Sequence, residues 1–283
     1  MFRTVKLGSI RGIGVYVHWT FWMLVAIYAL AETARSGLAG GLEAALFIGA
    51  VFGCVLAHEF GHAAAAAYYG IKTTDITLMI VGGMARLARL PERPVHELVI
   101  AVAGPAVNVV IGALLFVVLA FGALVSEPSG WLLSALLFAQ SLLIANVVLV
   151  LFNMLPAFPM DGGRVLRSLL AMRQGQLRAT ETAAKVGRWM AALFAIAAIA
   201  MWEFPLLLVA GFVYVAGSAE LMQVRLRSMQ STSGSARPGT GGATRQPFES
   251  FTGHARPLEP FEFRTAGRED VIDAIEVREI PRD

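Results

Sequence analysis

Histidine 58, glutamate 59 and histidine 62 stand in the run His58-Glu59-Phe60-Gly61-His62, and these are the residues best equipped for chemistry. On a helix, positions four apart share a face, so both imidazoles can address one ion. Glu59, beside them, is placed to take a proton from a water activated there. Two nitrogen ligands, a third ligand from elsewhere and an open position for water form the arrangement of a zinc hydrolase site. The run lies in an apolar stretch, where His and Glu are costly unless they face protein or a water-accessible cavity. A polar network between helices, or a proton or ion pathway, is the other use of such residues. Phe60 and the alanines at 63 to 67 read as packing residues that allow close helix approach.

The third ligand should be an oxygen or nitrogen donor on a different segment. Asp161 is the best candidate, in Asn153-Met154-Leu155-Pro156-Ala157-Phe158-Pro159-Met160-Asp161-Gly162-Gly163-Arg164. The two prolines imply a broken or extended backbone that can carry the carboxylate back toward His58 and His62. The alternative is a carboxylate that caps a helix starting near Gly162. His18, beside Trp19, either faces the same cavity or anchors the interface with Tyr16, Trp19 and Trp22. His96 and His254 lack ligand-like spacing.

These residues must be positioned by membrane-spanning elements. The chain has 283 residues, of which 57% are hydrophobic and only 15% charged, which excludes an ordinary soluble globule. Residues 98–125 and 128–160 contain no charge. Six spans are expected, at about 15–32, 44–67, 98–125, 131–155, 183–202 and 204–222. The fifth is the weakest and must extend back through the Ala-rich stretch after Thr180 or lie obliquely. Segments rich and poor in Lys and Arg alternate between the spans: Lys72, Arg86, Arg89 and Arg93 follow the second, and Arg164, Arg167, Arg173 and Arg178 follow the fourth. Both termini, and the entrance to the site, are then expected on the cytoplasmic side. The net charge of +3 reads as topology, with no nucleic-acid surface.

The expected fold is an all-α polytopic membrane protein of about six transmembrane helices with a small membrane-associated β-sheet or hairpin. Residues 71–90 read as strands joined by a turn at Gly82-Gly83, or else as a re-entrant loop that packs the bundle, and residues 2–17 as a further strand. The membrane body is expected over 1–227, a flexible linker over 228–246 and a short polar extension over 247–283. Cys54 is the only cysteine and reads as buried and structural.

HEFGH in one span and NMLPAFPMDGG about a hundred residues later resemble the motifs of the site-2 protease family of intramembrane zinc metalloproteases, over about residues 1–222. The resemblance implies that His58, His62 and Asp161 hold one zinc ion per chain, that Glu59 is the general base, and that the reaction is peptide-bond hydrolysis within or beside a substrate's membrane span. Asn153 matches the family's asparagine upstream of the aspartate, with a role in orienting substrate or hydrogen-bonding a carbonyl oxygen, or else in bridging helices. Gly104-Pro105-Ala106-Val107-Asn108 resembles the family's GPxxN segment; its Gly and Pro would set helix shape and Asn108 would satisfy buried polar groups. The sheet looks like the family's membrane-reentrant sheet, whose edge can pair with extended substrate. The implied substrate is a single-pass membrane protein, an anti-sigma factor or another signalling precursor, in a prokaryotic cell membrane. Neither a pair of CBS motifs in residues 229–283 nor a PDZ-sized insertion between the central spans is expected, so regulation by such modules is not expected. The rival reading of the same cluster is a zinc or proton-coupled transporter, which would favour further ionisable residues along a continuous path. A catalytically inactive scaffold is a third reading, against which the intact Glu59 stands.

Overall fold

The computed structural model describes residues 4–235 apart from 81, 90, 126 and 128, with side chains through 226. Six helices and four strands carry the described chain. The 50-residue helix α1 (Trp19–Tyr68) is interrupted at Gly37, whose φ of 75° is readily open only to glycine. Its two parts, residues 19–36 and 38–68, fold back on each other, since Phe21 in the first meets Phe52 in the second edge-on at 4.6 Å. The first two expected spans are therefore the arms of one helical hairpin. Helices α2 (Pro94–Gly122), α3 (Gly130–Asn153) and α5 (Gln176–Met201) follow. α5 reaches back through the Ala-rich stretch as anticipated for the weakest span. With α1 and the first part of α6 (Phe204–Ser235), they are long and apolar enough to cross a membrane. Their outward faces expose large apolar side chains such as Leu114, Phe116, Phe121 and Ile196.

Strands β1 (Thr4–Ile10), β2 (Ile13–His18), β3 (Thr73–Met79) and β4 (Gly82–Leu87) form one sheet in the order β1-β2-β3-β4. β2 and β3 pair in parallel and the outer pairs are antiparallel. The single strand expected over 2–17 is thus a hairpin, turned by Arg11 and Gly12, both at positive φ. The second hairpin turns before Gly82, not at Gly82-Gly83, which are the first residues of β4. Val17, Ile76 and Leu78 of the sheet pack with Phe21, Phe52 and Val55 of α1, joining the sheet to both arms of the hairpin. His18 caps the start of α1, with Nδ1 accepting from the Thr20 amide at 3.4 Å, a role beside the two expected of it.

Between α3 and α4 (Asp161–Gln174) the chain leaves helical geometry for residues 154–160. Ala157, Phe158 and Met160 are buried there, and Ala157 and Met160 pack with Ala191 and Val213 of α5 and α6. Irregular backbone is tolerated at membrane depth only when protein covers it in this way. Arg167 of α4, expected as a loop charge, is 3% exposed and donates through Nε to Glu97 Oε1 of α2 at 2.9 Å, while Nη1 bonds Glu220 of α6. Burial opposes the guanidinium charge, but Glu97 and then Glu220 raise its pKa above the ordinary value. Arg167→Ala leaves Glu97 buried without its partner, and should lower stability by about 3–5 kcal/mol; thermal unfolding of the detergent-solubilised chain measures it. Helix α6 runs to Ser235, through the first residues of the segment expected as a linker from 228. The rest of that linker and the extension at 247–283 lie outside the described residues.

Candidate metal centre

His58 and His62 lie on one face of the second arm of α1, as their spacing requires. Asp161, the first residue of α4, is carried to them by the buried break before it. The cap on α4 is Met160 and makes no side-chain bond, so the carboxylate is not spent on capping. Asp161 Oδ2 lies 3.1 Å from His58 Nε2 and 3.2 Å from His62 Nε2, and the two Nε2 atoms are 3.0 Å apart. Asp161 and His58 are buried, and His62 nearly so.

The opposite nitrogens of the two rings reveal what these three atoms can do. His62 Nδ1 is 2.6 Å from the backbone carbonyl of Ile100, and His58 Nδ1 is 3.0 Å from Asn108 Oδ1. Both partners are acceptors, so each Nδ1 carries a proton, and in the neutral form of each ring the lone pair of Nε2 faces inward. Two such lone pairs and a carboxylate oxygen at this spacing would repel one another, and a cation among them would resolve that repulsion. Four-coordinate zinc with N and O bonds of about 2.0–2.2 Å sets neighbouring donors about 3.3–3.6 Å apart. The donor triangle is within a few tenths of an ångström of that, so the residues fit zinc. Among the described residues these are the three His, Cys, Asp or Glu side chains that could hold a metal together.

Two glycines make room for the centre. A Cβ at Gly104 of α2 would lie 2.3 Å from His62 Nε2 and 2.7 Å from His58 Nε2. Gly104 therefore does more than shape its helix: it lets α2 press its backbone against both ligands. At Gly83 of β4 a Cβ would fall 2.6 Å from Glu59 Cγ. That glycine, expected in a turn, is there for the approach of strand to carboxylate. Glu59 Oε2 accepts from the Ala85 amide of the same strand at 3.1 Å. Asn153 ends α3, half-buried and outside the three-donor cluster. His96 is also outside it, stacked on Tyr69 at 4.0 Å between centroids. Cys54 is buried, as expected, with Asn146 Nδ2 at 3.4 Å from its sulfur. Asn146 itself went unremarked in the sequence. Its signal was an amide in the middle of an apolar span, which is costly unless it has a partner.

The model of peptidase family M50 matches residues 46–131 and 125–197. A zinc metalloprotease of Methanocaldococcus jannaschii is 34% identical over 226 residues, which are 80% of this chain and 63% of that protein. The Mycobacterium tuberculosis protein Rip3 is 33% identical over 211 residues, 71% of this chain and 52% of its own. The chain therefore spans between about half and two-thirds of the length of these curated relatives. Among solved structures, a site-2 protease from Methanocaldococcus jannaschii superposes with a TM-score of 0.57 at 31% identity, covering 77% of this chain and 95% of that one.

Proposed function

This chain belongs to peptidase family M50, the site-2 proteases, and from that membership we propose that it is a zinc-dependent endopeptidase cutting within or near the transmembrane segment of a membrane-protein substrate. The observation that carries the reading is the convergence of His58 Nε2, His62 Nε2 and Asp161 Oδ2 within 3.0–3.2 Å of one another, with Glu59 on the same helix. His58, His62 and Asp161 are the ligands. A zinc ion held there would supply Lewis acidity toward a carbonyl oxygen and toward water.

Glu59 takes the proton from the attacking water and returns it to the departing amine nitrogen. Its carboxylate is held against β4 through the Ala85 amide, which sets it at the edge of the sheet. An extended substrate segment pairing with that edge would pass beside Glu59. Asn153, at the end of α3, is assigned to orienting the substrate backbone, on the strength of the motif alone. The substrate we assign is a single-pass membrane protein, an anti-sigma factor or another signalling precursor. Both termini are assigned to the cytoplasm from the alternation of basic loops.

A helical carbonyl is enclosed and hydrogen-bonded, so the substrate span must unwind before cleavage. An Ala→Gly change at the cleaved turn lowers helix stability by about 1 kcal/mol and should speed cleavage about fivefold. Initial rates on paired substrates measure this. The reading itself is tested with purified chain and a panel of single-span substrates. Cleavage should stop on chelation and return when one zinc per chain is restored. Cleavage indifferent to chelation, or zinc flux in liposomes without cleavage, would overturn it.

A further inference from the structure

Asn108 and Asn146 are each 1% exposed, deep among α1, α2 and α3, and the function just proposed gives neither a task. Their hydrogen bonds run in one direction only. Asn146 Nδ2 donates to the backbone carbonyl of Leu142 at 2.9 Å. A carbonyl can only accept, so the nitrogen of that amide must face it, and Oδ1 is turned toward Asn108. Asn108 answers with Nδ2, donating to Asn146 Oδ1 at 3.1 Å, which turns its own Oδ1 toward His58. His58 then has to donate from Nδ1, across 3.0 Å, which makes Nε2 the nitrogen that faces the metal centre. Reversing any one amide would set two donors or two acceptors face to face in a buried, apolar setting, at substantial cost.

From this one-way chain we infer that Asn108 and Asn146 are positioning residues that hold His58 in its metal-binding tautomer and orientation. The inference rests on the metal-centre reading. It differs from the role expected of Asn108 as a satisfier of buried polar groups. An amide that only joins helices can end on any acceptor. This chain begins at a backbone carbonyl, crosses three helices and ends on the ring nitrogen opposite the coordinating one. Partners of this kind fix a ligand's tautomer and raise its basicity. His62 needs no such relay, because the Ile100 carbonyl does the same directly.

The experiment measures apparent zinc affinity of the full-length chain by chelator competition, beside thermal unfolding of the metal-free protein. Asn108→Leu keeps much of the volume but removes the acceptor, and should weaken zinc binding about 10–100-fold. Asn108→Asp keeps the acceptor for His58 Nδ1 while setting a carboxylate against Asn146 Oδ1. It should bind zinc more tightly than Asn108→Leu while being the less stable of the two. That crossed order separates positioning from helix joining, for which affinity would follow stability. Asn146→Leu leaves Asn108 in place but frees it to turn, and should weaken zinc binding by about tenfold, less than Asn108→Leu does. If Asn108→Leu does not fold, this variant and Asn108→Asp carry the test. Variants that hold zinc as tightly as the parent, or affinities that rank as stabilities do, overturn the inference. A parent chain that binds no zinc overturns the metal-centre reading and this one with it.

Discussion

Gly104→Ala is expected to deprive the chain of its metal while leaving its helices intact. The new methyl group would sit 2.3 Å from His62 Nε2 and 2.7 Å from His58 Nε2, well inside contact distance of both ligand atoms. Flexible side-chain ends usually yield to such an intrusion, but these rings are pinned from behind by the Ile100 carbonyl and by Asn108. To escape, a ring must break its Nδ1 bond and swing its lone pair off the common point. The loss of zinc affinity should therefore exceed the 10–100-fold typical of losing one supporting hydrogen bond. Alanine is a better helix former than glycine, so circular dichroism should show undiminished helix in the metal-free variant. Zinc analysis of the purified protein decides the matter; near-stoichiometric zinc would mean that the rings have more room than their hydrogen bonds allow.

Glu59→Gln is expected to do the opposite, keeping the metal and losing the reaction. Glutamine matches the shape of glutamate, and its side-chain oxygen can still accept from the Ala85 amide, so β4 and the second arm of α1 should stay docked. What disappears is a group that can hold a proton between water and the leaving nitrogen. General acid–base catalysis contributes about 10²–10⁴-fold, and the cleavage rate should fall by that factor at one zinc per chain. A zinc-loaded Glu59→Gln preparation that cuts at the parental rate would remove Glu59 from the mechanism.

The three donors were legible in the sequence because two of them share a helix at a fixed spacing and the third follows two prolines that forbid an uninterrupted span. The hairpin nature of α1 was less visible. Its turn is a single glycine at 37 in a stretch that still reads as helical, so the two spans looked like separate helices. The sheet was only half legible. Arg11-Gly12 lacks the Asn-Gly or Asp-Gly signature of a tight hairpin, so two strands read as one. Gly82-Gly83 carried a turn signal, but only Gly82 takes a positive φ; Gly83 is set by Glu59 lying against it, a contact between distant parts of the chain that no local pattern encodes. Arg167 misled for a related reason. Its charge matched the basic-loop rule, while its burial depends on Glu97 and Glu220, which become neighbours only after folding.

The two histidines have different histories open to them. His62 rests on a main-chain oxygen, which no substitution can delete, so drift in the surrounding side chains leaves that half of the grip unchanged. His58 rests on a side-chain amide that one codon change can alter. Selection for a tighter or looser hold on the ion, in a lineage facing scarce or plentiful zinc, would then have one adjustable end to act on, and changes at 108 and 146 would come in compensating pairs.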